Sequence, residues 1–327
     1  MILVTGGAGF IGSNIVAALC GRGVPVAVCD FFGEEGKWQN LAKAELHDVI
    51  HPDALTAWLE RHADRVESVI HMGAISSTSA TDADLVLRTN FGLSWQLWHW
   101  CARHGKRFIY ASSAATYGAG EQGYDDDGSP AALARLRPMN LYGWSKHLFD
   151  RRVARAVADR EPIPAQWAGL KFFNVYGPNE YHKGTMQSVV AHSFPAAAGG
   201  DDVALFKSYR RGIADGEQKR DFVYVGDCVD VVLWLFDHPS VNGIFNVGTG
   251  HARSFVDLIR ALFAALGRPP RIVYRDMPET LRNHYQYFTQ ARMDRLREAG
   301  FTQPFQSVEE GVRVYVQRYL SQPDIYR

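Results

Sequence analysis

With 327 residues the chain is long for one compact core and natural for two intimately joined lobes. Hydrophobic residues make up 46% and charged residues 21%, and 35 Lys plus Arg balance 35 Asp plus Glu to a formal net charge of zero. A neutral chain lacks the electrostatic footprint of a duplex-DNA or anionic-membrane binder, so any phosphate recognition must come from local charges and backbone dipoles.

Met1 runs straight into the strand-like Ile2-Leu3-Val4, without the basic flank or cleavage site of a signal peptide. No apolar run approaches the ~20 residues of a membrane span. Cys20, Cys29, Cys101 and Cys228 form no CxxC pair and the 12 histidines show no HExxH spacing, so neither a disulfide nor a metal is expected, and the cytoplasm is the expected compartment.

The first strand leads into Thr5-Gly6-Gly7-Ala8-Gly9-Phe10-Ile11-Gly12, and a helix is predicted over about Ile11 to Cys20. Gly7, Gly9 and Gly12 fit GxGxxG; Gly6, Gly9 and Gly12 fit GxxGxxG. The glycines serve three mechanical ends, which are a tight turn, close approach of backbone to pyrophosphate, and close packing of helix on sheet. The helix N-terminus offers free N–H groups and a partial positive charge to phosphates. Asp30 stands eighteen residues past Gly12, at the end of the second predicted strand, Val24 to Cys29, placed to accept from an adenosine ribose hydroxyl. Alone it points to NAD. Lys37 admits two readings, a partner for the 2′-phosphate of NADP or a solvated surface lysine.

Asp53 to His62 reads as a helix, Ser68 to His71 as a strand and Thr81 to His104 as a long helix. After the strand, Met72, Gly73 and Ala74 offer small residues past which a cofactor can run. Asn90 faces either that cofactor or a polar packing neighbour. Trp95, Trp98 and Trp100 have helical spacing and are expected in the core or a subunit contact. Arg107 to Ser112 is the fourth buried strand. Strand and helix alternating in this way predict an α/β fold, a doubly wound parallel sheet with right-handed crossovers. With the glycine loop, this is the Rossmann arrangement.

Ser112-Ser113 closes the fourth strand at the carboxyl edge, where such sheets bind ligands. Asp125, Asp126 and Asp127, between glycines, read as a solvated loop. A helix from about Asn140 to Asp159 carries Tyr142 and Lys146 as YxxxK, one turn apart on one face. A free phenol titrates near pH 10, too high for a base at neutral pH; a lysine cation and an oxidised nicotinamide beside it would lower that value. Ser113 is placed to hydrogen-bond the reacting oxygen.

Further strands are expected over Trp167 to Val175, Phe222 to Val225 and Ile244 to Val247, a loop over a site across Ser208 to Lys219, and helix N-caps at Ser254 and Thr289. The predicted division is a dinucleotide-binding domain over 1–172, to which 222–250 returns, and a smaller mixed α/β substrate domain mainly over 173–327.

The chain resembles the nucleotide-sugar branch of the extended short-chain dehydrogenase/reductase family over nearly its whole length. The likeness rests on Ala111-Ser-Ser-Ala-Ala-Thr-Tyr-Gly118, Phe173-Asn-Val-Tyr-Gly-Pro178, Lys219-Arg-Asp-Phe-Val-Tyr-Val-Gly-Asp227 and Gly243-Ile-Phe-Asn-Val-Gly-Thr-Gly250. His182-Lys183-Gly184 and Tyr285-Gln-Tyr-Phe-Thr289 draw it towards members that invert C6 of an ADP-linked heptose. The resemblance implies resident NADP, with NAD as the alternative, touched also by Phe10, Ile11, Phe31, Met72, Ile75, Ser76 and Val175. It implies Tyr142 and Lys183 as two acid/base residues, with Lys146 holding the nicotinamide ribose. A lysine binding the ADP diphosphate is the other reading of Lys183. Asn174, Thr185, His192, Phe206, Arg220 and Tyr285 fall on the family's substrate positions. Arg220 suits a bidentate phosphate contact, or else an ion pair with Asp221 or another carboxylate. Thr185 stands where serine is common, and the stretch Lys207 to Gln218 is longer than in shorter members. A homo-oligomer, a pentamer, is implied as well, and a role in lipopolysaccharide core supply. The rivals are a UDP-hexose 4-epimerase, a 4,6-dehydratase, disfavoured because Ala114 and Ala115 occupy the places of its acids, and an NADP sensor without catalysis.

Overall fold

The computed structural model describes residues 1–282 and 285–327. Short apolar runs rich in Val and Ile make the central sheet: β1 (Ile2–Thr5), β2 (Val26–Cys29), β3 (Asp48–Ile50), β4 (Ser68–His71), β5 (Arg107–Ser113), β6 (Gln166–Phe172) and, after several intervening elements, Gly243–Val247. β1, β2 and β4 are buried along their whole length, as strands covered on both faces must be. The crossovers are α1 (Phe10–Gly21), α2 (Leu55–Arg61), the paired α3 (Ala83–Val86) and α4 (Leu93–Arg103), and, beyond the short α5 (Pro130–Leu133), α6 (Leu141–Ala158). The predicted helix over Thr81 to His104 is thus a single run whose middle, Leu87–Gly92, winds as a π-helix.

The predicted strand Trp167 to Val175 breaks at Phe173. β6 stays in the central sheet, and β7 (Asn174–Tyr176) pairs with β9 (Lys219–Tyr224) outside it. Between them lie α7 (Val189–Gly199) and β8 (Val203–Phe206). After β9 come α8 (Val225–Asp237), β10 (Gly243–Val247), β11 (Ala252–Ser254), α9 (Phe255–Ala265) and β12 (Ile272–Arg275). The central sheet has seven strands in the order β10-β6-β5-β4-β1-β2-β3, all parallel; a three-stranded sheet runs β11-β9-β7, and β12 pairs with β8. Of the segment 222–250, β10 therefore lies in the central sheet and the strand before it does not.

One core packs α1 and α8 against the sheet; a second, on the opposite face, joins α2, α4 and α6 and contains Trp98 and Trp100. A third fills the space around α7, α9 and the helix Val308–Tyr315. Ser254 caps α9 in a reciprocal capping box with Asp257. Thr289 caps nothing: no helix starts there, its side chain is buried, and its hydroxyl accepts from the Asp221 N–H at 3.3 Å. The acidic run is not simply solvated either. Asp126 is buried and accepts from the Asn246 N–H at 2.7 Å, which pins β10, and burial pushes its carboxyl up to about 6. Flanking glycines mark a turn but do not reveal which of three adjacent carboxylates faces inward.

The strand order reverses between β1 and β4, and the crevice at the carboxyl ends of these strands is where this architecture binds ligands. The ends of β1, β2, β4 and β5 deliver Gly6, Asp30, Met72 and Ser113 to one rim.

Candidate active site

The glycine loop is shaped by its own backbone. Gly6 has φ +66°, and a Cβ there would strike the backbone of Gly73, so the turns after β1 and β4 touch. A Cβ on Gly12 would fall on the Gly6 carbonyl, and this close approach seats α1 under the loop. No side chain caps α1, whose N-cap is Gly9, leaving the first-turn amides of Phe10, Ile11 and Gly12 facing the rim. Asp30 accepts from the Ala8 N–H at 2.9 Å and from Lys37 Nζ at 2.7 Å; Lys37 also donates to the Phe31 carbonyl at 2.7 Å. The two readings of Lys37 therefore narrow: it is an ion-pair partner of Asp30 and not a free surface lysine. Phe31 is exposed, edge-on to His51. Asn90 is wholly buried, accepting from the Ile75 N–H at 2.8 Å and donating to the Ile75 carbonyl at 2.9 Å and to Ser145 Oγ at 3.0 Å. It holds the Met72–Ile75 strand end in place; Ser76, next along, is exposed.

A cradle that a single Cβ would fill, uncapped helix amides and a carboxylate–lysine pair at the ribose end together fit a dinucleotide carrying two phosphates.

At the end of β5, Ser113 stands beside the Tyr142 phenol, and its hydroxyl accepts from the Ala115 N–H at 3.1 Å. Asn140 caps α6 by accepting from the Gly143 N–H at 2.8 Å, which fixes Tyr142 in the first turn. Lys146, one turn on, is buried, and its Nζ donates to the Ala111 carbonyl at 2.8 Å. Burial lowers its ammonium to about 8, against the pull of Asp150. Without a cofactor, burial raises the Tyr142 phenol above its ordinary value of 10, with Ser113 opposing and Asp150 adding to the rise.

Lys183 lies on the turn Tyr181–Met186, half-buried, with Nζ 5.2 Å from the centre of the Phe10 ring at the start of α1. Burial lowers its ammonium, and Glu180 resists. Glu180 is itself buried and bound by Ser188, whose hydroxyl donates at 2.7 Å and whose N–H donates at 2.5 Å. Arg220, on β9, is buried and donates to the Lys219 carbonyl at 2.8 Å and to the Gln286 carbonyl; its guanidinium stands 5.2 Å from the Tyr285 ring and 5.7 Å from that of Phe255. Among the described residues it has no carboxylate partner. Asp221 turns the other way, accepting from the Thr249, Gly250 and Ala291 N–H groups. The ion-pair reading of Arg220 is thereby set aside. Asn174 is exposed and its Oδ1 lies 3.5 Å from the Thr289 hydroxyl. Val175 is partly buried against the core beside it. Thr185 and His192 are exposed on the turn and on α7, and Phe206 ends β8 with the Arg275 guanidinium 4.8 Å from its ring.

Sequence reasoning passed over Asn40. Its buried side-chain amide lies 2.8 Å from the Ala8 carbonyl, 3.1 Å from the Asn179 carbonyl and 3.2 Å from His182 Nδ1. One side chain thus joins the glycine loop to the turn that bears Lys183. The chain end reinforces the same junction, with Arg327 N–H donating to Asn179 Oδ1 at 3.0 Å and Tyr181 Oη to the Ile325 carbonyl at 2.8 Å. No local pattern announces such a contact across 139 residues.

A Rossmann sheet with a glycine-rich phosphate loop and a Ser-Tyr-Lys set at its carboxyl rim defines a dinucleotide-dependent enzyme of the extended short-chain type. The chain belongs to the NAD dependent epimerase/dehydratase family, whose model matches residues 2–248. It is 48% identical to the ADP-L-glycero-D-manno-heptose-6-epimerase of Fusobacterium nucleatum over the whole of both chains. The crystal structure of the Helicobacter pylori ADP-L-glycero-D-manno-heptose-6-epimerase superposes with a TM-score of 0.77 at 28% identity, covering 97% of this chain and 95% of that one. Thermus thermophilus UDP-glucose 4-epimerase, in complex with NAD, superposes at 0.71 with 26% identity, over 96% and 97% of the two chains. Among the described residues no helix is long and apolar enough to cross a membrane.

Proposed function

We propose that the protein interconverts ADP-D-glycero-D-manno-heptose and ADP-L-glycero-D-manno-heptose, inverting C6 by transient oxidation to a 6-keto sugar. The C–H at C6 has no neighbouring carbonyl, so direct abstraction of its proton would be very slow. A nicotinamide dinucleotide bound at the glycine loop supplies a reversible hydride acceptor, which removes that obstacle. Tyr142 takes the proton of the C6 hydroxyl, with Ser113 donating to the reacting oxygen. Rotation about the exocyclic C5–C6 bond presents the other face of the ketone, and Lys183 protonates the oxygen formed there. Two acid/base residues are needed because the oxygen occupies opposite positions before and after inversion. Lys183, its ammonium lowered by burial, suits proton exchange nearer neutrality than a solvated lysine does.

Arg220 is assigned to the ADP diphosphate. Among the described residues this buried guanidinium meets carbonyls and aromatic faces and no carboxylate, so its charge is available to an anion. Lys37 is assigned to the 2′-phosphate of NADP: an ammonium has three donors, and two are spent on Asp30 and Phe31. The observation that carries the reading is the placing of Ser113 at the end of β5 next to Tyr142 and Lys146 on the first turns of α6, beside the glycine loop. The full-length likeness to the Fusobacterium protein supports the choice of sugar. Incubation with ADP-D-glycero-D-manno-heptose and chromatographic resolution of the two epimers tests it. An equilibrium mixture is expected; turnover of a UDP-hexose with none of the heptose would point to a 4-epimerase instead.

A further inference from the structure

α6 places Tyr142, Lys146 and Asp150 at successive intervals of four, so all three lie on the face turned to the sheet. The first two are absorbed by the proposed chemistry; Asp150 is not. It is fully buried, 0% exposed, yet its carboxylate is saturated: Tyr110 Oη donates at 3.1 Å, Ser112 Oγ at 2.6 Å, and Lys171 Nζ, 1% exposed, stands at 3.2 Å. Lys171 in turn donates to Thr116 Oγ1 at 2.6 Å, and that hydroxyl donates to the Ser113 carbonyl at 2.8 Å. The Lys171 ammonium also lies 4.6 Å from the centre of the Tyr117 ring, the last residue of the same turn.

We propose that Asp150 is a positioning residue: paired with Lys171, it fastens the helix bearing Tyr142 and Lys146 to the turn bearing Ser113, and places a negative charge on the helix face that carries the phenol. An ion pair withdrawn so completely from water has a large desolvation cost, so stability alone is a weak reason for it. A hydrogen-bonded chain running from Asp150 through Lys171 and Thr116 to Ser113 gives it a different role, holding the donor serine and the tyrosine in register. The proposal rests on Tyr142 acting as the base.

The groups facing Asp150 are Tyr110 and Ser112 from β5, Tyr117 from the turn, Lys171 from β6, and Tyr142, Lys146 and His147 from α6 itself. Burial holds the His147 imidazole down to about 4, so it is neutral at working pH. Tyr110 is held far above the ordinary phenol range by burial and by Asp150, and Tyr117 by burial, Asp126 and Asp150. The charges that respond to substitution are therefore those of Asp150, of Lys171 and of Lys146, whose ammonium Asp150 supports.

The test uses the cofactor-loaded protein and three variants. In Asp150→Asn the negative charge on that helix face is gone, so the acidic limb of the pH profile of kcat is expected about 0.5–1 pH unit lower, with kcat down at least about tenfold. In Asp150→Asn/Lys171→Met both charges leave together. The limb is then expected back near its original position while kcat stays depressed, and the amides of 113–117 exchange faster with deuterium. An unmoved limb in the single variant, or an undiminished kcat in the double one, overturns the proposal. If the single variant fails to fold, kcat of the double variant decides. Tyr142→Phe separates the two levels: full turnover in that variant would sink the assignment of Tyr142, whereas an inactive Tyr142→Phe with a wild-type limb in Asp150→Asn would sink the role of Asp150 alone.

Discussion

The side-chain amide of Asn40 stands 3.2 Å from Nδ1 of His182, and through that contact the segment bearing Lys37 is tied to the turn bearing Lys183. The two hydrogens of the Asn40 amide go to the Ala8 and Asn179 carbonyls, and the His182 ring beside it is kept neutral, its value lowered to about 4 by burial and by Lys37 and Lys183. Replacing Asn40 with Ala leaves the buried carbonyls of Ala8 and Asn179 without their donor, each at a cost of about 1–3 kcal/mol. Asn40→Ala is expected to lose stability on that scale in urea titrations and to weaken cofactor retention on gel filtration. A variant with unchanged cofactor content would show that the two segments are held independently.

Lys37 offers a discriminating substitution. Lys37→Ala removes the cation beside Asp30 and leaves that carboxylate facing the ribose uncompensated. Affinity for NADP is expected to fall at least about tenfold, by calorimetry, while affinity for NAD changes by no more than about threefold. Equal losses for both would refute the assignment to the 2′-phosphate.

Two glycines of α1 predict opposite outcomes. Gly12→Ala sets a Cβ against the Gly6 carbonyl, a backbone atom that cannot rotate away, so the loop must shift. A loss of about 2 kcal/mol or more and loss of bound cofactor are expected. Gly21, at the other end of the helix, has open space around its Cβ direction. Gly21→Ala is expected to be neutral or to stabilise by up to about 1 kcal/mol.

Asp227 predicts a pH dependence. It lies in α8, buried, accepting from the Gln306 N–H at 3.0 Å, and burial, aided by Asp230 and Glu310, pushes its carboxyl up to about 7. Between the unfolded value near 4 and that figure the folded state binds more protons than the unfolded one, so stability falls as pH rises through this window. Asp227→Asn keeps an acceptor for Gln306 without the charge. It is expected to melt several degrees higher than the parent at pH 8 and to show a shallower decline in melting temperature between pH 4 and 7.

Most of the parallel sheet was legible because its strands are short, largely apolar runs such as Ile2-Leu3-Val4 and Val26-Ala27-Val28, whereas β3, only three residues long and opening on Asp48, gave no such signal. The glycine loop was legible for a different reason: Gly6 and Gly12 are demanded by backbone geometry at positions fixed by sequence spacing. Tyr142 and Lys146 could be paired because one helical turn brings them to one face, and the same rule reaches Asp150. What escaped is long-range. Asn40 and Lys171 meet their partners through tertiary packing that no local period encodes, and the break at Phe173, which sends β7 to another sheet, follows from where β9 lies. Nor does proximity along a helix say where an ammonium places its hydrogen bonds: that Lys146 donates to the Ala111 carbonyl could not be read from the YxxxK spacing.

The central claim is that C6 is inverted by hydride removal and return within one site served by Tyr142 and Lys183. Substrate carrying deuterium at C6 tests it most directly, followed by mass analysis of the product formed in ordinary water. The account predicts that the product epimer retains the deuterium, that Tyr142→Phe and Lys183→Met each abolish its formation, and that both variants keep their bound dinucleotide. Washout of deuterium into solvent, or normal turnover by the Lys183 variant, would contradict it.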